Sequence, residues 1–134
     1  MSETEVVVGV DAGGSKTRVV VATTGGEILA EISGAGAAMA PGGAEDCADI
    51  ISALVAAALA SAELIDVFPR VIYAGVAGTG REAEQMALQD ALIQREIAEE
   101  VVVETVSGVA LADAFGDRSG VILMAGTGSI AFVR

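Results

Sequence analysis

The 134-residue chain has no histidine, a single cysteine, and only 7 lysines and arginines against 19 aspartates and glutamates. With Cys47 as its one cysteine, it can form neither an internal disulfide nor an iron–sulfur cluster ligated within one chain. A formal charge of -12 leaves no basic surface for nucleic acid or an anionic membrane, partners that need clustered lysine and arginine. That charge does not exclude a small phosphorylated ligand gripped locally by backbone groups and a metal. Long apolar runs are also missing. The longest, Ala53 to Ala60, is far below the roughly 20 residues a membrane span needs. The opening Met1-Ser2-Glu3-Thr4-Glu5 is acidic and lacks the regions of a signal peptide, so a cytoplasmic location is expected. What remains is 53% hydrophobic, enough for one compact domain with a core.

The most informative stretch is Val6-Val7-Val8-Gly9-Val10-Asp11-Ala12-Gly13-Gly14-Ser15-Lys16-Thr17-Arg18-Val19-Val20-Val21. Two β-branched runs flank a turn of glycine and small hydroxyl residues, which predicts a β-hairpin with a backbone-rich tip. Gly13 and Gly14 lack Cβ atoms, so their N–H groups can approach an anion closely, while Ser15 and Thr17 add hydroxyls and Lys16 a point charge. Asp11, closing the first run, suits a magnesium ion, which prefers a carboxylate plus several waters. A tight turn with a polar tip accounts for the same residues without a ligand. Gly9 to Thr17 nearly spells a P-loop, but Ser15 stands between the glycine and Lys16, and a strand-like run follows instead of a helix. The dinucleotide-binding fingerprint fails for want of the same helix.

The far end repeats the pattern. Val121-Ile122-Leu123-Met124-Ala125 and Ile130-Ala131-Phe132-Val133 flank Gly126-Thr127-Gly128-Ser129, a turn of the right size for phosphate. Between the two hairpins lies Gly75-Val76-Ala77-Gly78-Thr79-Gly80-Arg81. These three motifs, in this order, resemble the BadF-type ATPase and N-acetylglucosamine kinase family, within the sugar kinase, heat-shock ATPase and actin superfamily. The resemblance covers essentially the whole chain. It implies an α/β, ribonuclease-H-like (actin-like ATPase) domain over 1–118, with a mixed five-stranded sheet and helices, and the first hairpin of a second such domain over 119–134. It also implies ATP and Mg2+ as cofactors, with Asp11 at the metal. Gly13, Gly14, Ser15, Lys16 and Thr17 would hold phosphates from one side, and Gly126, Thr127, Gly128 and Ser129 from the other. Gly78, Thr79, Arg81, Ser107 and Ser129 would lie near an amino-sugar acceptor.

The rest of the chain reads in keeping with that layout. Thr24-Gly25-Gly26 is a turn and Glu27 to Ile32 a third strand, making an antiparallel meander. Ser33 to Gly43, rich in glycine and alanine, reads as a loop. From Ala44 the apolar spacing of Cys47, Ile50, Ile51, Leu54, Val55, Ala58, Leu59 and Ala62 predicts a helix with a core-facing stripe, which makes Cys47 a core residue. Glu45 and Asp46 suit its positive end. Pro69 precedes an apolar run, Val71 to Ala77, read as a central parallel strand. The glycine turn after it leads to a helix from Arg81 to Ala98. Its position at a strand-to-helix exit marks a ligand edge in an open α/β sheet, although a turn that needs glycine for backbone reasons looks the same. Val101 to Val106 is the fifth strand, and Ser107 to Phe115 a short helix capped by Ser107.

Two positions depart from the family. Its general base, an aspartate opening the helix after the fifth strand, aligns with Ser107, and an unperturbed hydroxyl cannot act as a base. Its sugar-reading asparagine aligns with Ala38, and the chain contains no asparagine at all. The expectation is therefore a truncated first half of a sugar kinase, inactive alone. The alternative is a non-catalytic, self-associating half-domain that forms a homodimer through the C-terminal hairpin, whose strands would present unpaired edges. A radical-reductase activator would need cluster cysteines elsewhere than Cys47. A nuclease would need carboxylate partners for Asp11 and a surface that does not repel its substrate.

Overall fold

The computed structural model describes residues 5–23, 27–64, 66–104, 121–124 and 130–133. The chain begins as an antiparallel meander of β1 (Val6–Ala12), β2 (Lys16–Thr23) and β3 (Ile28–Ala35). It continues through α1 (Ala44–Ser61), β4 (Val71–Val76), α2 (Glu82–Gln94) and β5 (Glu100–Glu104), and ends with β6 (Val121–Met124) and β7 (Ile130–Val133). The first five strands form one sheet in the order β3-β2-β1-β4-β5. β1 pairs antiparallel with β2 and parallel with β4, which in turn pairs parallel with β5. This is the mixed five-stranded sheet with helices expected of an actin-like ATPase domain. β6 and β7 pair antiparallel as a separate ribbon.

Alternation along the strands sets what the helices cover. Val6, Val8, Val10 and Ala12 on β1 join Val19 and Val21 on β2 and Ile72, Ala74 and Val76 on β4 in a single buried cluster. Cys47, Ala48, Ile51, Val55 and Ala58 of α1 and Leu88, Ala91 and Leu92 of α2 complete that cluster. The apolar stripe read from the sequence of α1 is therefore the face that meets the sheet, and Cys47 is buried there. Arg95, just beyond α2, holds the two helices together by reaching Asp49 Oδ1 at 2.6 Å and Glu45 Oε1 at 3.0 Å on α1.

Several boundaries differ from expectation, most by a single residue. β3 runs on through Ser33, Gly34 and Ala35, because those residues pair with Arg18, Thr17 and Lys16 of β2 and the ladder outweighs the weak strand propensity of the segment. α2 stops at Gln94 instead of Ala98, since Glu96 takes a left-handed φ of 53° and the chain turns toward β5. β5 starts one residue early, at Glu100 opposite Val71. The Thr24-Gly25-Gly26 turn and the helix expected from Ser107 to Phe115 lie outside the described residues.

Candidate functional site

The site is built where β1 ends. Its carboxyl end meets the β1–β2 turn, the exit of β4 and the segment that follows β3. The turn is closed by the Gly13 N–H donating to the Lys16 carbonyl at 2.9 Å. Gly14, Ser15 and Lys16 project from it, all exposed. A Cβ added at Gly14 would meet nothing within 4 Å, so there is open space beside this backbone for an anion to approach. The hairpin tip predicted from the sequence is therefore present and accessible.

Asp11 sits half-buried at the end of β1, opposite Arg18 on β2. Burial pushes its carboxyl above the ordinary value, and the positive charges of Arg18 and Lys16 offset this only in part. Arg18 itself is engaged by Glu31 of β3 in an ion pair. A carboxylate that has lost some of its water and has no full partner gains from a cation, so the donor fits a magnesium ion. Among the described residues no three histidine, cysteine or acidic side chains gather. Asp11 would thus be one ligand among phosphate oxygens and waters.

Thr17 departs from expectation. It pairs with Ala12 and Gly34, and its side chain is fully buried with the hydroxyl lacking a hydrogen-bond partner. A Cβ at Gly34, its neighbour in register, would run into Leu54 of α1 at 2.6 Å. The Thr17 side chain thus shares the helix-covered face with Ala12 and does not supply a hydroxyl at the tip. Strand alternation, which puts Thr17 on the face opposite Lys16, is the reason.

At the exit of β4, Thr79 is likewise fully buried and donates its hydroxyl to the Val76 carbonyl at 2.7 Å. Gln85 Nε2 donates to the Thr79 carbonyl at 2.8 Å. Thr79 thus shapes the turn, while Gly78 and Arg81 are exposed at its rim. Gly78 has φ +91° and lies against Met39, whose carbonyl oxygen would be 2.1 Å from an added Cβ. The turn therefore needs glycine there for backbone and space reasons together.

Residues Gly36 to Met39, read from the sequence only as loop, turn out to join these parts. The Ala37 N–H donates to the Gly13 carbonyl at 3.0 Å and the Met39 N–H to the Ala77 carbonyl at 2.8 Å. Ala77 in turn donates to the Ala12 carbonyl at 2.8 Å. Ala37 and Met39 are buried and Ala38 between them is exposed. The signal in the sequence was Met39, the one large apolar side chain in a stretch of glycine and alanine. Gly126, Thr127, Gly128, Ser129 and Ser107 lie outside the described residues.

Comparison with known proteins agrees with this fold. The chain is 26% identical over 128 residues to an N-acetylmuramic acid/N-acetylglucosamine kinase of Clostridium acetobutylicum, covering 96% of this chain and 42% of that protein. A solved structure from Chromobacterium violaceum, proposed to be an N-acetylglucosamine kinase, superposes with a TM-score of 0.65 at 19% identity, over 96% of this chain and 48% of the other. A ROK family glucokinase from Streptomyces griseus, solved with glucose and AMPPNP, matches at a TM-score of 0.54 and 27% identity, over 84% of this chain and 36% of the other. The chain thus spans less than half the length of each of these relatives. Residues 8–133 match the BadF/BadG/BcrA/BcrD ATPase family, and with nearly its full length covered, the chain belongs to that family.

Proposed function

We propose that this chain supplies one phosphate-gripping side of an ATP-dependent phosphotransferase of the N-acetylglucosamine kinase type. The observation that carries the reading is the β1–β2 tip. Its backbone at Gly14 and Ser15 is exposed, Lys16 stands beside it, and an imperfectly paired Asp11 closes the same strand. In phosphoryl transfer the protein chiefly positions the phosphates and offsets their charge. Gly14, Ser15 and Lys16 would hold triphosphate oxygens, with Gly13 shaping the turn because its N–H is spent on the Lys16 carbonyl, and Asp11 would hold the magnesium ion that neutralises them. Gly78 and Arg81 would lie toward an amino-sugar acceptor. Residues 1–118 would form the kinase-like domain and 119–134 the first hairpin of a second, with Gly126 to Ser129 facing the same phosphates. A cytoplasmic location follows from the need for ATP.

Two positions work against catalysis. Ser107 at the base position costs about 10²–10⁴ in rate, and the side chain of Ala38 offers an acceptor no hydrogen bond. The chain by itself is therefore proposed to bind nucleotide without phosphorylating sugar. Isothermal titration with Mg-ATP tests the first half, and absence of heat at millimolar nucleotide overturns it. Incubation with ATP, magnesium and N-acetylglucosamine tests the second, where product above an enzyme-free control overturns it.

A second reading rests on the β6–β7 ribbon, whose strands pair only with each other among the described residues. A two-stranded ribbon offers two open edges, and two copies joined through them would form a homodimer. Light scattering that gives a monomer at high concentration removes this reading.

A further inference from the structure

The segment between β3 and α1 does more than connect them. Its anchors are apolar and buried, Ala37 at 2% and Met39 at 6% exposure, and the Cys47 thiol donates to the Ala37 carbonyl at 2.9 Å from α1. From this base it touches the hairpin tip twice. The Ala37 N–H bonds the Gly13 carbonyl at 3.0 Å, and Gly36 packs so closely that a Cβ there would lie 2.2 Å from the Gly14 carbonyl oxygen and 2.8 Å from that of Gly13. Two successive carbonyls of the tip are thereby turned toward the segment.

A trans peptide is planar, with its C=O and the following N–H on opposite sides. Fixing the Gly13 carbonyl therefore aims the Gly14 N–H away from the segment, and fixing the Gly14 carbonyl aims the Ser15 N–H the same way. No described residue accepts a hydrogen bond from either N–H, whereas the Gly13 N–H is used within the turn. We infer that Gly36 to Met39 form a positioning strap, with Gly36 as its key residue, which orients the Gly14 and Ser15 N–H groups as the phosphate donors of the tip. This deepens the proposed nucleotide site and rests on it.

The strap also ties that tip to the β4 exit through the Met39 N–H and the Ala77 carbonyl. Backbone preorganised in this way needs no rearrangement when an anion arrives, so its donors hold the anion more tightly. Gly36→Ala must push the strap or the tip aside and misdirect both donors. Gly34→Ala, two residues earlier, meets only the flexible end of Leu54, 2.6 Å from the added Cβ, and leaves the tip alone.

The test is titration of the 134-residue chain and both variants with Mg-ATP, well below their melting temperatures, alongside amide NMR of the unaltered chain. The expected result is binding weakened about tenfold or more in Gly36→Ala and unchanged in Gly34→Ala, whose only defect is lower thermal stability. In the unaltered chain, the Gly14 and Ser15 amides should shift most on adding Mg-ATP. Equal affinity in folded Gly36→Ala overturns the strap while leaving the nucleotide site standing. Should Gly36→Ala fail to fold, the NMR decides, and Gly14 and Ser15 amides that stay put while others move overturn the strap. No binding by the unaltered chain overturns both ideas.

Discussion

The Cys47 thiol on α1 donates to the carbonyl oxygen of Ala37 at 2.9 Å, so a helix of the core holds the strap that touches the hairpin tip. Burial pushes this thiol from its ordinary 9.0 up to about 11. Between those values the unfolded chain has released the proton and the folded one has kept it, so stability falls as pH rises through the window. Comparing the unaltered chain with Cys47→Ala from pH 9 to 11 should show a shallower decline in the variant. Iodoacetamide at pH 8 should label Cys47 quickly only after unfolding, because the thiolate is the nucleophile. Rapid labelling of the folded chain contradicts this.

Asp11 shows the same sign of effect in a lower pH range. Its carboxyl is raised by burial, so just above the ordinary carboxylate value the folded state binds more protons than the unfolded one, and stability drops as pH climbs. Asp11→Asn should melt higher than the unaltered chain at neutral pH, with the difference vanishing in acid. The same variant should lose the magnesium dependence of ATP binding. A lower melting temperature at pH 7 contradicts the assignment.

Thr17 carries a fully buried hydroxyl without a partner. Thr17→Val replaces it with a methyl of nearly the same shape, removing a desolvation cost of about 1 kcal/mol. Urea unfolding should show the variant equal to or more stable than the unaltered chain, and Mg-ATP affinity should be unchanged. A clear loss of affinity would return the hydroxyl to the site.

Left-handed backbone gives a matched pair of predictions. Gly78→Ala adds a Cβ at φ +91° within 2.1 Å of the Met39 carbonyl oxygen, and should cost on the order of 2 kcal/mol. Glu96, at φ 53° just past α2, holds a conformation that suits glycine. Glu96→Gly should gain a few tenths of a kcal/mol up to about 1. Thermal melts of both variants check the signs.

The meander, α1 and the parallel β4 were legible because their signals are local. The Val6 to Val10 run, the stripe from Cys47 to Ala58 and the apolar Val71 to Val76 each follow from periodicity alone. The tip at Gly13 to Lys16 was legible for the same reason, since glycine and hydroxyl composition marks a turn. The strap was not. Its contacts at Gly13 and Ala77 are made by backbone N–H groups, which every residue but proline carries, so no letter in the sequence reports them. The orientation of Thr17 was hidden by its composition, since a hydroxyl beside a phosphate-like turn suggests a donor until the register with Ala12 shows the face it occupies. The end of α2 at Gln94 was hidden by Ile97, which is partly buried against the core after the helix has stopped.

β1 occupies the middle of the sheet, with β2 along one edge and β4 along the other. Partial opening of such a sheet begins at its outer members, here β3 and β5, whose free sides let water in first. Excursions that loosen the rim therefore leave Asp11 at its post. Solvent exchange of backbone protons would rank Val8 and Val10 among the slowest of the described residues, so the strand that carries Asp11 is a durable base for it.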